Sequence, residues 1–545
     1  MTFQRVIQTL SFAGFIILLL LAAFPLVPFI PVDAFLRLDP LVFFGASLSA
    51  RNVMPFVWTA LLVLLLTVVI GRFFCGALCP MGISIDVTDR VFKSKDKNKH
   101  KTIPSFLKFF KHQFLFFVLG ASLLGVSFVF LGSPLSLITR FYGLIVYPIL
   151  CYVGDKALLG FRPLADYFDI TSIVYADVLT PRFDLQWFTV ILFISIFAMV
   201  IFSPRFWCRY LCPSGAIFAL FSWKPIVRRH VSDACDQCGL CQEKCPMDAI
   251  GDDPLDTDFS ECIVCQMCVR VCPTAAVVFS RTGFGRERPC QPLLGERRKF
   301  IKAGASGMGA ALVTLTSLKH LQIDTHPGSI TYPELIRPPG ALPESEFLAR
   351  CIRCGECMKA CPTNTLQPIG LMAGLSAFFS PKITPRRGPC EPSCNVCGQV
   401  CSTGAIRALS LDEKMWAKVG TAHILKHKCL VWEFGKKCLI CDEFCPYNAV
   451  EFKMVPEIPI VVPYVNETKC NGCGFCEHHC PVQAKAAIVV EPMGSLRLNS
   501  GSFRKKGLEV GLSLDVKQDK GQRSAIDQWD KFPSGEAGLP PGFSK

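Results

Sequence analysis

Hydrophobic residues are concentrated in the first 220 residues of the chain. A helix crosses a bilayer core with about 20 apolar residues. Four apolar runs are long enough or nearly so, and they lie near 8–30, 55–74, 113–132 and 185–203. We therefore predict an α-helical membrane domain of four spans over residues 1–224. A fifth apolar stretch, 133–153, contains Arg140, and a central charge is costly in a bilayer. We expect this stretch to lie at the membrane interface; if it spanned, Cys208 would lie on the opposite side from Cys75.

Basic residues flank the predicted spans on one side. Arg5 precedes the first span, Lys224, Arg228 and Arg229 follow the fourth, and a loop between the second and third is lysine-rich, with Lys93, Lys95, Lys97, Lys99, Lys101, Lys108 and Lys111. Loops of this kind face the cytoplasm. The net charge of +14 thus indicates a multi-pass protein of the bacterial inner membrane. No motif that reads a nucleic-acid groove accompanies the charge, so we expect the lipid bilayer and no nucleic acid as a partner.

The two predicted hairpins repeat one motif. Residues 72–82, RFFCGALCPMG, align with residues 205–215, RFWCRYLCPSG, and Pro40-Leu41 in the first outer loop matches Pro134-Leu135 in the second. Two like hairpins form a parallel repeat about an axis along the membrane normal. That axis would bring four cysteines together at the cytoplasmic face: Cys75, Cys79, Cys208 and Cys212. Because residues i and i+4 share a helix face, we predict an extra metal site or a dithiol relay. The alternative is that these are packing cysteines at a helix end, since free cysteine is often buried.

Two cysteine runs follow in residues 225–290. They are Cys235, Cys238, Cys241, Cys245 and Cys262, Cys265, Cys268, Cys272, each closed by proline. This is the bacterial ferredoxin spacing, in which the fourth cysteine ligates the other [4Fe–4S] cluster. We therefore assign Cys272 to the first set and Cys245 to the second. Zinc sites use paired Cys-x-x-Cys units, so this spacing excludes them, and it excludes disulfides.

Residues 326–495 contain four further runs. They are Cys351, Cys354, Cys357, Cys361; Cys390, Cys394, Cys397, Cys401; Cys429, Cys438, Cys441, Cys445; and Cys470, Cys473, Cys476, Cys480. The second has one extra residue and ends on Ser402 in place of proline, and Cys429 stands apart from its run. If Cys429 does not reach its site, that site would hold a three-iron cluster. We expect about six [4Fe–4S] clusters in α+β ferredoxin-like modules. Cys151 and Cys290 belong to no run, and we interpret them as structural.

The segment 291–325 joins the two cysteine-rich regions. Arg297-Arg298, Phe300 and Lys302 precede a weakly apolar stretch rich in Gly and Ala, as in a twin-arginine export signal. That route carries folded proteins, so clusters could be inserted before the second module crosses the membrane. No clear A-x-A site follows, so we expect the segment to stay as an anchor. The alternative is a basic patch before an ordinary helix. Residues 496–545 are polar, and we predict a disordered tail.

The ordered combination of motifs resembles known families. Residues 1–290, with two Cys-x-x-x-Cys-Pro motifs and two cluster runs, resemble NapH-type membrane ferredoxin proteins, and residues 296–490 resemble NapG-type or MauM-type four-cluster periplasmic ferredoxins. The resemblance implies a natural fusion that acts as a quinol dehydrogenase module, passing electrons from membrane quinol to a periplasmic reductase or cytochrome. Similarity to four-cluster ferredoxin subunits also implies nested exchange: Cys361 would complete the fourth run's cluster, Cys480 the first run's, and Cys401 and Cys445 would exchange likewise.

Other cofactors have no visible site. No span carries the histidine pair of a membrane b-type haem, and no dinucleotide or Walker fingerprint appears, so we expect no haem, NAD or flavin. No residue is assigned a catalytic role, and the quinol site is not located. Two other functions stay open: a carrier with all clusters in the cytoplasm that links ferredoxin to the quinone pool, and a maturation factor that reduces a partner metalloenzyme.

Overall fold

The computed structural model describes residues 3–26, 30–54, 57–92, 107–175, 178–281, 288–289, 297–321, 335–456 and 458–514. The lysine-rich loop up to residue 106, Cys290 and residues 515–545 lie outside them. The N-terminal helices are Phe3–Leu21 (α1), Ala34–Arg37 (α2), Pro40–Ala50 (α3), Val57–Ile70 (α4), Pro80–Val91 (α5), Leu107–Leu123 (α6), Val129–Gly132 (α7), Pro134–Phe141 (α8), Tyr147–Tyr167 (α9), Thr171–Val174 (α10), Gln186–Ala198 (α11) and Pro213–Phe221 (α12). Single π-helical turns occupy Phe74–Leu78, Tyr142–Val146 and Trp207–Leu211, and a 3₁₀ turn follows α11 at Met199–Ile201.

Two short α+β modules follow, joined by one long helix. The first contains strands Arg228–Val231 (β1), Asp256–Thr257 (β2), Val277–Ser280 (β3) and Arg288–Pro289 (β4), with helices Leu240–Glu243 (α13) and Met267–Val271 (α14). The joining helix is Arg297–Leu321 (α15). The second module contains Glu344–Arg350 (α16), Glu356–Ala360 (α17), Leu366–Pro368 (β5), Pro381–Ile383 (β6), Val396–Gln399 (α18), Leu411–Trp416 (α19), Thr421–Ile424 (β7), Ile440–Glu443 (α20), Val450–Val455 (β8), Ile458–Val465 (β9), Phe475–His479 (α21), Ile488–Glu491 (β10) and Phe503–Glu509 (α22), with 3₁₀ turns at Leu371–Ala373 and Lys426–Lys428.

Two helical segments in the described part of the chain are long and apolar enough to cross a membrane. They are Gln4–Leu21 and the continuous stretch Pro134–Tyr167. The other apolar helices are shorter: Pro40–Ala50, Trp58–Ile70, Phe109–Leu123 and Gln186–Ile201. The four-span arrangement of two like hairpins therefore stays a prediction.

Arg140, the reason for expecting an interfacial segment, lies inside one of these two long stretches. Its side chain is 1% exposed and donates to the carbonyl oxygens of Arg353 and Phe130. The guanidinium also stacks 4.5 Å from the ring centre of Phe379. Carbonyl acceptors and an aromatic face offset much of the cost of burying the charge. The charge of Arg140 is therefore compensated inside the protein, and the interfacial position of residues 133–153 stays a prediction.

The two cysteine-rich modules lie at opposite ends of α1. At its start, Gln8 donates to the carbonyl of Gly76, and a Cβ on Gly76 would lie 2.2 Å from the carbonyl oxygen of Ile263 in the first module. At its end, Lys359 of the second module donates to the carbonyls of Leu19, Leu20 and Ala22. A helix of 19 residues is about 28 Å long, close to the thickness of a bilayer core.

The helix α15 follows α6 in the same direction. Phe300, near its start, packs on His112 and Phe116, whereas Met308 and Ala311 lie against Gly120, further along α6. Close approach depends on a small residue, because a Cβ on Gly307 would lie 2.4 Å from the carbonyl oxygen of Gln113. The predicted signal segment is thus a single helix that carries the chain from the first module to the end where the second module lies.

The chain remains ordered beyond residue 496. Phe503 is fully buried, Ser502 caps α22, and Arg497 pairs with Glu344 at 2.6 Å. The backbone N–H of Leu496 donates to the Lys418 carbonyl. The prediction of a disordered tail is therefore wrong for residues 496–514, because a few apolar side chains and a half-buried ion pair hold them against the second module.

Candidate metal centres

The first module brings its cysteines together as the exchange rule predicts. Cys245 lines one small cavity with the first three cysteines of the other run, Cys262, Cys265 and Cys268. In the other set, backbone hydrogen bonds connect Cys272 with Cys235. The Ala276 N–H donates to Cys272 Sγ, and the Ala276 carbonyl accepts from the Ser232 N–H. The Ser232 carbonyl in turn accepts from the Cys235 N–H. Each fourth cysteine therefore lies with the opposite run.

Backbone geometry prepares these loops for an anion. Between the cysteines, Gln237, Gly239, Val264 and Gln266 have φ values of 54–70°. Where residues in right-handed and left-handed conformations alternate, successive backbone N–H groups point to the same side of the loop, as in the nests that bind Fe–S clusters. Val264 is β-branched, so its conformation is strained and needs a fixed surrounding. In five runs the last cysteine also accepts a backbone N–H, from Ala249, Ala276, Ile406, Ala449 and Ala487.

The second module corrects the predicted nested exchange. Cys361 lines one cavity with three second-run cysteines, Cys390, Cys394 and Cys397. Cys445 lines another cavity with the first three cysteines of the fourth run, and Cys480 lines a third cavity with cysteines of the third run. Cys401 completes the first run, packing with Cys351 and Cys357 in one buried cluster. Adjacent runs therefore exchange their last cysteine, and the nested pairing is wrong.

Strand pairing gives the physical reason for this arrangement. In the first module β1 and β3 pair antiparallel and enclose both runs. The third and fourth runs are enclosed in the same way by β7 and β10, and the hairpin β5–β6 turns the chain back between the first and second runs. Each pair of neighbouring runs is therefore a separate two-cluster unit.

The two irregular runs still assemble four thiols. Cys429 lines the same cavity as Cys438, Cys441 and Cys480, although eight residues separate it from its run. In the second run, Ser402 replaces proline, yet the Ile406 N–H donates to Cys401 Sγ at 3.4 Å. The Ala449 N–H donates to Cys445 over the same distance. Four-ligand sites are thus available at both positions.

The four thiol sets of the second module form a row. The N–H of Cys390 donates to the Cys473 carbonyl at 2.7 Å, which joins the second-run and fourth-run sets. Tyr447 lies between them, and its pKa is raised by burial and by the thiols of Cys473 and Cys390. Arg386 fastens the two units by donating to three carbonyls, those of Glu477, Cys480 and Val482. The order along the row is first run, second run, fourth run, third run.

The first-run set lies against the N-terminal helices. Ser136 donates to the Ile352 carbonyl at 2.8 Å, and Arg353 stacks 4.0 Å from the ring centre of Phe130. Arg140 and Arg353 are both buried, and in the described part of the chain their hydrogen bonds go to carbonyls and not to carboxylates. Their positive charge faces Cys351 and Cys354. Two buried cations without a carboxylate fit an anionic cluster at this set.

Cys75, Cys79, Cys208 and Cys212 lie in one buried cluster, which we call the four-thiol centre. The structure corrects the expected α-helical motif. Cys75 and Cys208 lie in π-helical turns, and Cys79 and Cys212 are the N-caps of α5 and α12, each followed by proline. The Gly215 N–H donates to Cys212 Sγ at 3.3 Å. Helix N-termini favour negative charge, so both halves of the motif prepare the centre for thiolates.

An arginine crosses from each half of the motif to the other. Arg205, in the second half, donates to the Cys75 carbonyl and packs so closely on Gly82 that a side chain there would contact its guanidinium. Arg72, in the first half, packs on Gly215 in the same way. Arg72 pairs with Glu261, but its Nε and Nη2 form no hydrogen bond in the described residues, and its charge faces Cys75 and Cys212. These orphaned buried donors fit an anionic metal–thiolate group.

Glu261 anchors the first module beside this centre. Burial alone would raise its pKa, but Lys111 and Arg72 hold the pKa at about 2.

The thiols of the first module are also affected by burial. Burial raises the pKa of the Cys268 thiol to about 12, against the lowering effect of Arg229. Metal binding requires thiolates, so nearby cations assist cluster assembly.

The distances among the described metal-ligating side chains are larger than a single ion needs. Across the described ranges, no three Cys, His, Asp or Glu side chains lie close enough to hold one metal ion. A cubane spreads its four thiolate ligands around a larger body than one ion does.

Sequence reasoning missed the arginines of these sites. Arg72 and Arg205 occupy the same position in both motifs, which was the available signal. Arg353 stands between two candidate ligand cysteines, and Arg140 was interpreted only as an obstacle to crossing the membrane. Cys151 lies beside Tyr147, and its structural role stays a prediction.

Family models support the cofactor along the chain. A 4Fe-4S binding domain matches residues 52–99 and 185–232, a 4Fe-4S dicluster domain matches 234–277, and another 4Fe-4S binding domain matches 348–367 and 463–485. The predicted iron–sulfur domains are therefore confirmed. The first of these models covers both Cys-x-x-x-Cys-Pro motifs.

Curated relatives match the C-terminal region. The methylamine utilization ferredoxin-type protein MauM of Methylophilus methylotrophus is 36% identical over 202 residues, which cover 36% of this chain and 87% of that protein. MauM of Methylorubrum extorquens is 34% identical over 37% of this chain and 91% of its own length. The ferredoxin-type protein NapG of Escherichia coli is 33% identical over 38% of this chain and 89% of its own length. The resemblance of the C-terminal half is confirmed, while the NapH-like N-terminal half stays a prediction.

Proposed function

Because this chain belongs, through its C-terminal region, to the family of MauM and NapG ferredoxin-type proteins, we propose that it oxidises membrane quinol and delivers the electrons across the membrane to a redox protein. Its iron–sulfur electron-transfer role follows from the family and from the matched cluster domains. The proposal goes beyond this role in naming quinol as the electron donor and a periplasmic reductase or cytochrome as the acceptor.

The placement of the modules carries the proposal. Gly76 accepts a hydrogen bond from Gln8, near the start of α1, and packs against Ile263 of the first module. The second module contacts the other end of α1 through Lys359, and the two ends are about 28 Å apart. With α1 across the bilayer, the two modules lie in different compartments. The basic residues Arg5, Lys224 and Arg228 accompany the first module, which assigns it to the cytoplasm and the second to the periplasm.

Six thiol sets are available for six [4Fe–4S] clusters, which supply one-electron carriers. The protein's part is to fix their order and surroundings. The two sets in the cytoplasmic module and the four in the periplasmic row are separated by the N-terminal helices. A relay inside these helices is therefore needed, and we assign that role to the four-thiol centre.

A continuous chain of contacts joins this centre to the periplasmic row. Cys212 caps α12, where Ser214 donates to Asp39 Oδ1 at 2.8 Å. Ser133 donates to Asp39 Oδ2 at 2.6 Å and caps α8. Within the first turn of α8, Ser136 donates to the carbonyl of Ile352, next to Cys351. On its other side, Cys75 and Cys208 pack against the apolar cluster that holds Cys245, Cys262 and Cys265.

The far end of the row is the place for the acceptor. Three exposed apolar residues, Phe434, Leu439 and Phe444, lie in the stretch of chain that carries the third-run cysteines, and exposed Lys436 and Lys437 lie between the first two. Exposed apolar side chains near a redox centre fit a transient contact with a partner protein. The periplasmic reductase or cytochrome would dock here.

The location of the C-terminus tests the proposal. A reporter active only in the periplasm, fused after Lys545, should be active, while the same reporter fused after Lys224 in a truncated chain should be silent. A silent reporter at Lys545 would contradict delivery across the membrane and favour the carrier with all clusters in the cytoplasm. In membranes, added reduced quinol should then bleach the visible absorbance of the clusters. Absent bleaching, with partner maturation still dependent on the chain, would favour the maturation factor.

A further inference from the structure

A cavity of about 500 Å³ opens between the N-terminal helices and the first module. Its walls come from the start of α1, from α5, from residues 200–205 after α11 and from the two cysteine runs of the module. This volume lies in the range typical of sites for small organic ligands. The cavity is distinct from the small thiol-lined cavities, which lie at the cluster sites themselves.

One wall of the cavity is polar and rigidly built. Asp86 receives both Nε and Nη2 of Arg205 at 2.6 Å each. Gln8 donates to the Gly76 carbonyl at 2.7 Å and approaches Asp86 at 3.4 Å. Asp86 nevertheless keeps 23% of its side chain exposed, and it lines the cavity. A carboxylate held in this way can accept a hydrogen bond from a ligand hydroxyl.

The opposite wall is apolar and continues to the surface of the helical domain. Val200, Ile201, Phe202 and Pro204 line it. Ile201 is 72% exposed and Phe202 55% exposed, on a segment that ends a predicted span. The cavity therefore connects a lipid-facing surface with a polar floor, which suits an amphiphile with a polar ring and an apolar tail.

A third wall carries two candidate cluster ligands. Cys245 and Cys265 line this cavity and also belong to one thiol set of the first module. A ring on the polar floor would lie beside both sulfur atoms. Few places in the described chain could offer a ligand such direct access to a redox centre.

The sequence repeat shows that only one half of the domain is adapted in this way. Asp86 follows Cys79 by seven residues, and the matching residue after Cys212 is Ala219. Arg72, the counterpart of Arg205, pairs instead with Glu261 of the module, which Lys111 also contacts. In the described residues, the second half is thus closed by the docked module, and the first half is open.

We propose that this cavity binds the ring of the quinol, with Asp86 and Gln8 as ring-binding residues and residues 200–204 as the entrance for the isoprenoid tail. The inference rests on the proposed function and locates its substrate site. Oxidation would break both O–H bonds of the quinol and release two protons to water at the polar mouth, and Cys245 and Cys265 would help to hold a cluster able to accept the two electrons one at a time. The product is the quinone.

Photo-labelling tests the site without relying on turnover. The full-length protein in lipid nanodiscs is illuminated with an azido-substituted short-chain naphthoquinone, and labelled peptides are mapped by mass spectrometry. Label should fall on peptides that contain residues 200–204 or 4–8, and unlabelled quinone should compete. Gln8→Leu should weaken competition about tenfold, through the loss of one polar contact with the ring. Val200→Trp should weaken it further by filling the entrance.

Gln113→Leu is the matched control, because Gln113 also lies on an apolar helix and, within the described ranges, its side chain donates only to Ser306 Oγ, at 3.2 Å. It should leave labelling unchanged, and all variants should retain wild-type iron content. Saturable labelling elsewhere, with clusters still reduced by quinol, would overturn this site and leave the proposed function intact. Absence of saturable labelling together with absence of reduction by quinol would overturn both.

Discussion

Arg72→Gln offers a direct test of the four-thiol centre as a redox relay. The Arg72 side chain is fully buried, and its free guanidinium atoms face Cys75 and Cys212. Replacing it removes one positive charge from beside the centre and keeps a polar side chain in its place. Reduction adds a negative charge to the centre, so the substitution should make reduction harder and lower the midpoint potential.

The size of the shift follows from Coulomb's law. At an effective dielectric constant of about 20 and a charge separation of roughly 6–8 Å, the interaction is about 2–3 kcal/mol. For a one-electron couple, about 1.4 kcal/mol corresponds to roughly 59 mV. The midpoint potential of the four-thiol centre should therefore fall by about 100 mV.

A redox titration followed by electron paramagnetic resonance measures this shift in the purified protein. Arg72→Lys keeps the charge and should restore most of the potential. Arg209→Gln is the matched control, because Arg209 lies in the second motif but is directed to Ser203 and Asp248. Equal potentials in wild type and Arg72→Gln, or an equal shift in Arg209→Gln, would refute the reasoning. So would iron content that does not change when Cys79 and Cys212 are both replaced by alanine.

Three further outcomes test the assembled molecule. Cys361→Ser should expose the second-run cysteines to alkylation and leave the fourth run protected; exposure of the fourth run instead would restore the nested exchange. Lys359→Met leaves the last carbonyls of α1 without their buried donor, so the opening free energy there should fall by about 2 kcal/mol and amide exchange should become faster, whereas Lys382→Met should change neither. Burial opposes ionisation of Glu344, but Arg337 and Arg497 hold its pKa below the ordinary range. Its contribution to stability is therefore present near neutral pH and should be lost as pH falls below about 4.5, and Glu344→Gln should abolish this part of the acid dependence in thermal melts.

The cysteine spacing was sufficient to find the cluster-binding thiols, because each run is a local pattern. It was not sufficient to pair them in the second module, since pairing depends on which strands meet. The hydrogen bonds of β7 with β10 connect residues more than 60 positions apart, and no spacing rule contains them. The exchange in the first module was predictable only because one pair of runs leaves one choice.

Burial of charge was the harder part of the prediction. A central arginine is interpreted as unfavourable in an apolar stretch when its partners are unknown. Arg140 finds its partners in the carbonyl of Arg353, more than 200 residues away, and in the rings of Phe130 and Phe379. The polar composition after residue 496 similarly concealed the contacts of Phe503 and Arg497. A few well-placed side chains can order a segment whose average composition indicates disorder.

The small-residue face of α15 has a consequence for how the protein is made. The helix α6 packs directly against Gly304, Gly307 and Ala311 of α15. This close packing holds α15 in place although its sequence contains few large apolar side chains. Because α6 precedes α15 in the same polypeptide, the surface on which α15 packs is synthesised first and in equal number. Correct packing of the helix that joins the two modules therefore depends on the N-terminal helices.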